Sequence, residues 1–240
     1  MAKQRLDKEL VLRGNASTRS QAEDLIRRGF VSVHGSPVTK AGFLVDDKTP
    51  IVIAAKVSFV SRAGEKLYSV IHKLDLSFAG KVVLDVGSST GGFTEVALRE
   101  GAQKVIAVDV GTQQLHPYLR SNSQIELHEK TDIRAFHTKA RIDMVVADVS
   151  FISLREILPS VAQLVHPAVP IVAMVKPQFE AAQSNLKHKG VIKNDAMRRE
   201  ILKDFESWAR TAFVIVDKAD SDVAGAKGNR ERFYVLKRMS

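Results

Sequence analysis

Four apolar runs in this 240-residue chain each close on one charged residue: Val82-Val83-Leu84-Asp85, Val105-Ile106-Ala107-Val108-Asp109, Met144-Val145-Val146-Ala147-Asp148 and Ile171-Val172-Ala173-Met174-Val175-Lys176. Runs of this length, rich in Val and Ile, read as strands of a parallel sheet buried on both faces. Parallel strands put their carboxyl ends on one edge, and open α/β sheets take ligands there. The pattern therefore predicts three acids and one lysine converging on one crevice. Singly, each has a plain structural reading, because Asp caps helices and Lys lays its stem along apolar strand ends. Four in register are much harder to read that way.

Around these runs, strands and helices alternate to about residue 176, the pattern of a doubly wound sheet. Upstream, Glu65–Leu74 is amphipathic, with Leu67, Val70, Ile71 and Leu74 on one face. Helices are expected at Gly92–Glu100, stopped by Gly101, at Ser153–Leu164, with Ser153 and Glu156 as a capping box, and at Asp195–Ala212. Pro159 is a point where the second of these would kink or shorten. Ala212–Val216 and Arg232–Lys237, with a turn at Gly225–Asn229, read as an antiparallel pair at the sheet edge. The polar, irregular stretch 177–194 reads as a mobile loop near the crevice.

The chain carries 36 Lys and Arg against 27 Asp and Glu, a net charge of +9. That balance favours a polyanionic partner, nucleic acid ahead of an acidic membrane surface. The absence of cysteine excludes disulfides, thiolate metal sites and cysteine nucleophiles, and no structural metal is expected. The start, MAKQRLDKEL, has no apolar signal core, and no apolar stretch approaches the ~18 residues of a membrane span. A cytoplasmic protein without a membrane partner is expected.

Residues 1–53 read as a separate domain, 54–62 as a linker and 63–240 as a second domain. In the first, Arg5–Arg13 can form a helix stopped by Gly14, and Ser20 with Glu23 can open a second helix that Gly29 ends. Phe30–Val38 then reads as two short strands around a His34-Gly35 turn. Arg5, Lys8, Arg13, Arg19, Arg27, Arg28 and Lys40 make this piece positive; a merely solvated face is the plain alternative. Arg5-Leu6-Asp7, Ser17-Thr18-Arg19-Ser20-Gln21-Ala22, Leu25-Ile26, Gly29, Val31, Val33, Gly35 and Pro37-Val38 resemble the small RNA-binding module first seen in the fourth protein of the small ribosomal subunit. The resemblance implies an α+β domain gripping structured RNA through phosphates, with Arg5, Lys8, Arg19, Arg27 and Arg28 as the contacts.

The first strand of the larger domain leads into Asp85-Val86-Gly87-Ser88-Ser89-Thr90-Gly91-Gly92-Phe93-Thr94. The loop nearly fits a P-loop, but Phe93 stands where the lysine must be, so a triphosphate is poorly neutralised. It fails the dinucleotide pattern because Ser89 replaces the second glycine. An acid beside the glycine turn repels phosphate and suits a cation. Asp109, 24 residues after Asp85, stands where an acid accepts hydrogen bonds from ribose hydroxyls. A nucleoside with hydroxyls, a positive centre and no phosphate describes S-adenosyl-L-methionine. Loop amides from Gly87 through Ser88, Gly91, Gly92 and Phe93 are placed for its carboxylate, and Asp85 for its ammonium, directly or through water. Asp132, after a third strand near Ile125–Leu127, reads either as a contact to the adenine amino group or as a turn aspartate. The whole of 82–132 resembles the cofactor half of the Rossmann-like class I S-adenosylmethionine-dependent methyltransferases, α/β proteins with a mostly parallel sheet.

The residues after the next strand narrow the methyl acceptor. Asp148-Val149-Ser150-Phe151 lacks the prolines usual in amino-group methyltransferases, and carbon-five pyrimidine methylation generally needs a cysteine. A ribose 2′-hydroxyl remains attractive. It must lose a proton as the methyl transfers, and a desolvated strand-end lysine such as Lys176 can serve as base, oriented by Asp148, with a second lysine stabilising developing charge. Lys66, in the first turn of the expected helix, sits where the macrodipole disfavours a cation. Glu231 opens the last strand on the apolar face of Phe233 and Val235.

Ser61-Arg62-Ala63-Gly64-Glu65-Lys66-Leu67, the glycine loop, Ala147-Asp148-Val149-Ser150-Phe151-Ile152-Ser153-Leu154, Val175-Lys176-Pro177-Gln178-Phe179-Glu180, Lys189-Gly190-Val191 and Gly228-Asn229-Arg230-Glu231 together resemble the TlyA / hemolysin A family over essentially the whole chain. That family joins the RNA-binding module to an FtsJ-like ribose 2′-O-methyltransferase. The resemblance implies a catalytic set of Lys66, Asp148, Lys176 and Glu231, and ribosomal RNA or ribosomal subunits as partner, with cytidine ribose as the target. Ala63 departs from the glycine expected there. Two rivals are a membrane-active haemolysin, which the lack of a spanning segment disfavours, and an RNA-binding assembly factor without turnover.

Overall fold

The computed structural model describes residues 3–27, 29–53, 59–181, 190–192, 194–225 and 228–239. The chain divides into two units, Met1–Ser58 and Phe59–Ser240. The second begins inside the stretch read as a linker, because Phe59 is buried and Val60 N donates to Glu95 Oε2 at 2.5 Å.

The first unit runs β1 (Gln4–Arg5), α1 (Leu6–Leu12), α2 (Arg19–Arg27), β2 (Val31–Val33), β3 (Ser36–Pro37), β4 (Leu44–Val45) and β5 (Ile51–Ile53). β1 pairs with β4, and β2 lies between β3 and β5, all antiparallel. His34 and Gly35 both have positive φ, 49° and 79°, the geometry of a two-residue hairpin turn that matches strand twist. Leu6, Leu10, Ala22, Leu25, Ile26, Val31, Val33 and Val45 form its core. The helix start differs from the expected box at Ser20: α2 begins at Arg19, and Thr18 Oγ1 accepts from Gln21 N at 3.2 Å, while Gln21 Oε1 takes Ser17 N at 2.7 Å. Thr18 and Gln21 thus supply the reciprocal acceptors two residues earlier.

The second unit runs α3 (Arg62–Tyr68), β6 (Val82–Val86), α4 (Gly92–Arg99), β7 (Lys104–Val108), α5 (Pro117–Arg120), β8 (Ile125–His128), a 3-10 turn (Ile133–Ala135), β9 (Met144–Ala147), α6 (Leu154–Gln163), β10 (Ile171–Val175), α7 (Pro177–Glu180), α8 (Asp195–Ala209), β11 (Phe213–Asp220) and β12 (Arg232–Arg238). Its sheet has the order β11-β12-β10-β9-β6-β7-β8. β8, β7, β6, β9 and β10 are mutually parallel, and β12 is antiparallel to both neighbours. The order reverses between β6 and β9, which makes their carboxyl ends the switch point where such sheets bind ligands.

Alternation along each strand splits the core in two. Leu84, Ile106, Val145 and Ala173 pack with Ile157 and Leu158 of α6 and Leu202 and Phe205 of α8. Val83, Val105, Val146 and Val172 pack with Leu67 of α3 and Val96 and Ala97 of α4. Each such side chain contributes about 1.5–3 kcal/mol by leaving water. Pro159 does not break α6, and it lies on the helix's exposed side. Ser153 Oγ caps that helix by accepting from Arg155 N at 3.1 Å. A carboxylate from further along the chain also reaches the helix start: Glu180 Oε1 accepts from Leu154 N at 2.8 Å. Of the expected loop 177–194, residues 177–180 form α7, and 182–189 and 193 lie outside the described residues.

α3 and α4 cross at two glycines. A Cβ on Gly64 would lie 2.6 Å from Phe59 Cβ and 2.9 Å from the Gly92 carbonyl oxygen. Gly64→Ala is therefore expected to cost about 1–3 kcal/mol by overpacking. Chemical denaturation would register this as a lower midpoint with unchanged slope; a midpoint equal to wild type would show that the helices can part freely.

Candidate active site

The four run-ending charges take two different kinds of position. Asp109, Asp148 and Lys176 each stand one residue past β7, β9 and β10. Asp85 is the exception. It lies inside β6, whose apolar run continues to Val86, and the two-residue period turns it toward α4. There it is fully buried, accepts from Thr94 Oγ1 at 2.6 Å through Oδ2, and keeps Oδ1 buried without a hydrogen-bond partner. It lines neither of the two cavities at the switch point. Burial first, then repulsion from Asp148 and Asp109, pushes its carboxyl up to about 7, against the opposing hydrogen bond from Thr94.

The resulting pH dependence has a definite sign. The folded chain holds Asp85 protonated where the unfolded chain, with an ordinary aspartate near 3.8, has already ionised it. Stability is therefore full at low pH and falls as pH rises from about 4 to about 7, by an order of 4 kcal/mol for a gap of that size. Asp85→Asn keeps the acceptor for Thr94 and is expected to be the more stable form above pH 7. Melting temperatures at pH 5 and pH 8 check this: the variant should lose part of the wild-type decline, and parallel declines would remove Asp85 as its source.

Two cavities meet at the switch point. One of about 430 Å³ is walled by Gly87, Ser89, Asp109, Val110, Asp132, Asp148, Ser150 and Phe151, among others. The other, about 280 Å³, is walled by Ser61, Arg62, Ser88, Thr90, Gly92 and Phe93 and shares Gly87, Ser89, Asp148 and Ser150 with the first. Asp109 spans the loop: Oδ2 accepts from Ser89 N at 2.8 Å and Oδ1 from Gly111 N at 2.7 Å. Asp132 faces the larger cavity but also caps the 3-10 turn and is bonded by Arg134 Nε and Nη2, 2.7 Å at the closest; those bonds hold its carboxyl below the usual range.

The glycine loop spends most of its amides on the end of β7 and on itself. Gly87 N and Ser88 N point at Val108 O, and Gly91 N donates to Ser88 O at 2.7 Å. Gly91 has φ 91°, and a Cβ there would strike Leu119 and Leu115, so packing also requires a glycine here. By helix geometry Gly92 N and Phe93 N have no intrahelical acceptor, and both residues wall the smaller cavity. The Phe93 ring itself is buried beside Phe233, centroids 5.9 Å apart. Ser88 Oγ and Ser61 Oγ are buried without hydrogen-bond partners. Ser61, Thr90 and Ser150 carried no individual signal in the sequence beyond lying in motifs.

Two lysine–carboxylate pairs flank this region. Lys176 Nζ forms an ion pair with Asp148 Oδ1 at 2.6 Å and donates to Ser150 Oγ at 2.7 Å. Lys66 Nζ donates to Glu231 Oε1 at 2.9 Å, both groups buried, and Glu231 Oε2 has no partner. Val175 pairs with Arg232, which brings Glu231 level with Lys176 across antiparallel strands. Lys66 lies in the last turn of α3, not the first as expected, because the helix starts at Arg62 after the extended Ser61. Phe151 is 91% exposed at the cavity mouth with φ 66°, a strained backbone for so large a residue, and its ring stands 5.3 Å from Phe179.

In the first unit, buried Asp7 accepts from Arg5 Nε at 2.9 Å, Arg5 Nη2 at 2.8 Å and Arg19 Nε at 2.7 Å, and these bonds hold its carboxyl far below the ordinary range. Arg5 and Arg19 stay about half exposed, and Lys8 and Arg27 are exposed. Arg28 lies outside the described residues. Arg13 serves the fold, tying Glu9 to the carbonyls of Asp46, Asp47 and Thr49.

A crevice at the switch point, with an acid past the second strand, is where an open α/β sheet takes its ligand. The chain belongs to the FtsJ-like methyltransferase family, whose model matches residues 59–239, and an S4 domain matches residues 4–51. The 16S/23S rRNA (cytidine-2′-O)-methyltransferase TlyA of Mycobacterium tuberculosis is 37% identical over 97% of this chain and 89% of that one. Hemolysin A of Brachyspira hyodysenteriae is 35% identical over 95% of this chain and 97% of that one. The solved structure of a hemolysin-named protein of Streptococcus thermophilus is 32% identical, covers 100% of this chain and 90% of its own, and has a TM-score of 0.75. Among the described residues, no helix is long and apolar enough to cross a membrane, and no group of His, Asp or Glu is arranged to hold a metal.

Proposed function

We propose that this chain transfers a methyl group from S-adenosyl-L-methionine to a ribose 2′-hydroxyl of ribosomal RNA, with cytidine as the target nucleoside. The observation that carries the reading is the Lys176–Asp148 pair, 2.6 Å apart, in which Lys176 Nζ stands against Asp148 and Ser150, two residues that wall both cavities. The residues present suit the cofactor. The larger cavity is of nucleoside size and offers Asp109 to ribose hydroxyls and Asp132 to an amino group, and unpartnered Ser88 Oγ lies beside the glycine loop. When bound, the cofactor supplies a methyl group already activated on a sulfonium.

The chain's own residues do the rest. Lys176 Nζ accepts the proton of the attacking hydroxyl, and Asp148 orients Lys176 and offsets the charge it acquires. Lys66, fixed by Glu231, sets a cation where negative charge develops on the ribose oxygen. Phe151 offers a flat apolar face at the mouth for the base of the target nucleotide. Arg5 and Arg19, held by Asp7, present their remaining N–H groups to phosphates, with Lys8 and Arg27 adding charge.

The test is to incubate the protein with labelled S-adenosyl-L-methionine and ribosomal subunits lacking the modification, then digest to nucleosides for mass spectrometry. The expected product is 2′-O-methylcytidine. Label on a base, or none on subunits and naked RNA alike, would overturn the reading.

A further inference from the structure

The loops carrying Asp148 and Lys176 are joined at more than their ion pair. Lys176 Nζ donates to Ser150 Oγ at 2.7 Å. The rings of Phe151 and Phe179 meet at 5.3 Å. Glu180, buried at the end of α7, accepts from Ser153 Oγ at 2.6 Å and from Leu154 N at 2.8 Å. Residues 148–154 cannot slide past 176–180 without stranding that buried carboxylate, which is costly.

A lysine ammonium sits on a flexible four-carbon stem and offers three rotatable donors, so its position is not fixed by its strand alone. A proton acceptor must be aimed at the hydroxyl it serves. Asp148, as an ion pair, and Ser150, as a hydrogen-bond acceptor, both hold Lys176 Nζ, and both wall the two cavities. The hydroxyl bond fixes the direction of one N–H, which the ion pair alone does not do.

We propose that Ser150 is a positioning residue for methyl transfer: its hydroxyl holds Lys176 Nζ at the cavity wall, and Glu180 holds Ser150's loop in place. The proposal rests on Lys176 as the proton acceptor. Ser150 is exposed, so Thr and Val, which match each other in shape, are both accommodated there. Thr keeps the hydroxyl and Val does not.

The experiment compares Ser150→Thr, Ser150→Val and wild type in single-turnover transfer to ribosomal subunits lacking the modification, with cofactor affinity by calorimetry. Ser150→Val should slow transfer about 10- to 100-fold, the worth of a hydrogen bond to a charged group. Ser150→Thr should transfer much faster than Ser150→Val, and any change in cofactor affinity should be shared by the two, which fill the same space at the cavity wall. Equal transfer by the Thr and Val variants would overturn the proposal, whether both are fast or both slow. Glu180→Ala should slow transfer without weakening cofactor binding, and Glu180→Gln, which can still accept from Leu154 N, should restore it; full transfer by Glu180→Ala would overturn the clamp. If wild type itself transfers nothing, the methyltransferase reading falls and this proposal with it.

Discussion

Lys176→Ala should lower the rate of methyl transfer about a thousandfold, within the 10²–10⁴ range of a positioned general base, while leaving cofactor affinity nearly unchanged. The two halves of that expectation have separate causes. Transfer fails because the proton acceptor is gone. Binding survives because the groups offered to the cofactor are Asp109, Asp132 and the glycine loop, and the contacts Lys176 makes are to Asp148 and Ser150 instead. The substitution also leaves Asp148 without its cation, and an added negative charge does not repel a cationic cofactor. Lys176→Arg sharpens the test. A guanidinium can still pair with Asp148 but does not give up its proton in proteins. It should fail as completely as alanine. If arginine supports turnover, Lys176 acts by charge alone and the proton goes elsewhere. Single-turnover rates with saturating cofactor, beside calorimetric affinities, separate these outcomes.

Much of this site was legible because parallel strands buried on both faces write themselves as unbroken apolar runs. A charge that ends such a run is then placed at the ligand edge by topology, as Asp109, Asp148 and Lys176 are. Asp85 is placed differently because its run does not end there. Val86 continues the strand, and the partner that settles Asp85 is Thr94, a tertiary contact. The same limit hid Glu180. Local capping rules look three residues ahead and find Glu156, and an acceptor that arrives from beyond β10 is outside their reach. Lys66 and Glu231 each carried a local oddity, but only the β10–β12 register and the packing of α3 explain why they meet. Arg13 looked like part of a basic face and is a structural tie, because nothing local marks the carbonyls of residues 46–49 as its partners. Ser150 left no trace of its own, since a serine after an aspartate is ordinary in any loop.

Asp109→Ala is expected to weaken S-adenosyl-L-methionine binding about a hundredfold, as two hydrogen bonds from ribose hydroxyls to one carboxylate would require. The carboxylate already serves the protein, taking Ser89 N and Gly111 N on separate oxygens. Each oxygen retains a second lone pair, so ribose contacts add to these bonds rather than replace them. Alanine removes both sets at once and frees the loop at Ser89, whose φ of 45° is held by that contact. Asp109→Asn separates the two effects. Its amide has one acceptor oxygen and one donor nitrogen, so it can satisfy only one of the two backbone amides and half of the ribose contacts. Asparagine should therefore fall between alanine and wild type, with a loss of about tenfold. At saturating cofactor, the transfer rate of both variants should approach wild type, because Lys176 and Asp148 keep their own contacts. Unchanged affinity in Asp109→Ala would remove Asp109 from the ribose site. A transfer rate that stays low at saturation would instead mean that the loop it holds also aligns the reacting groups.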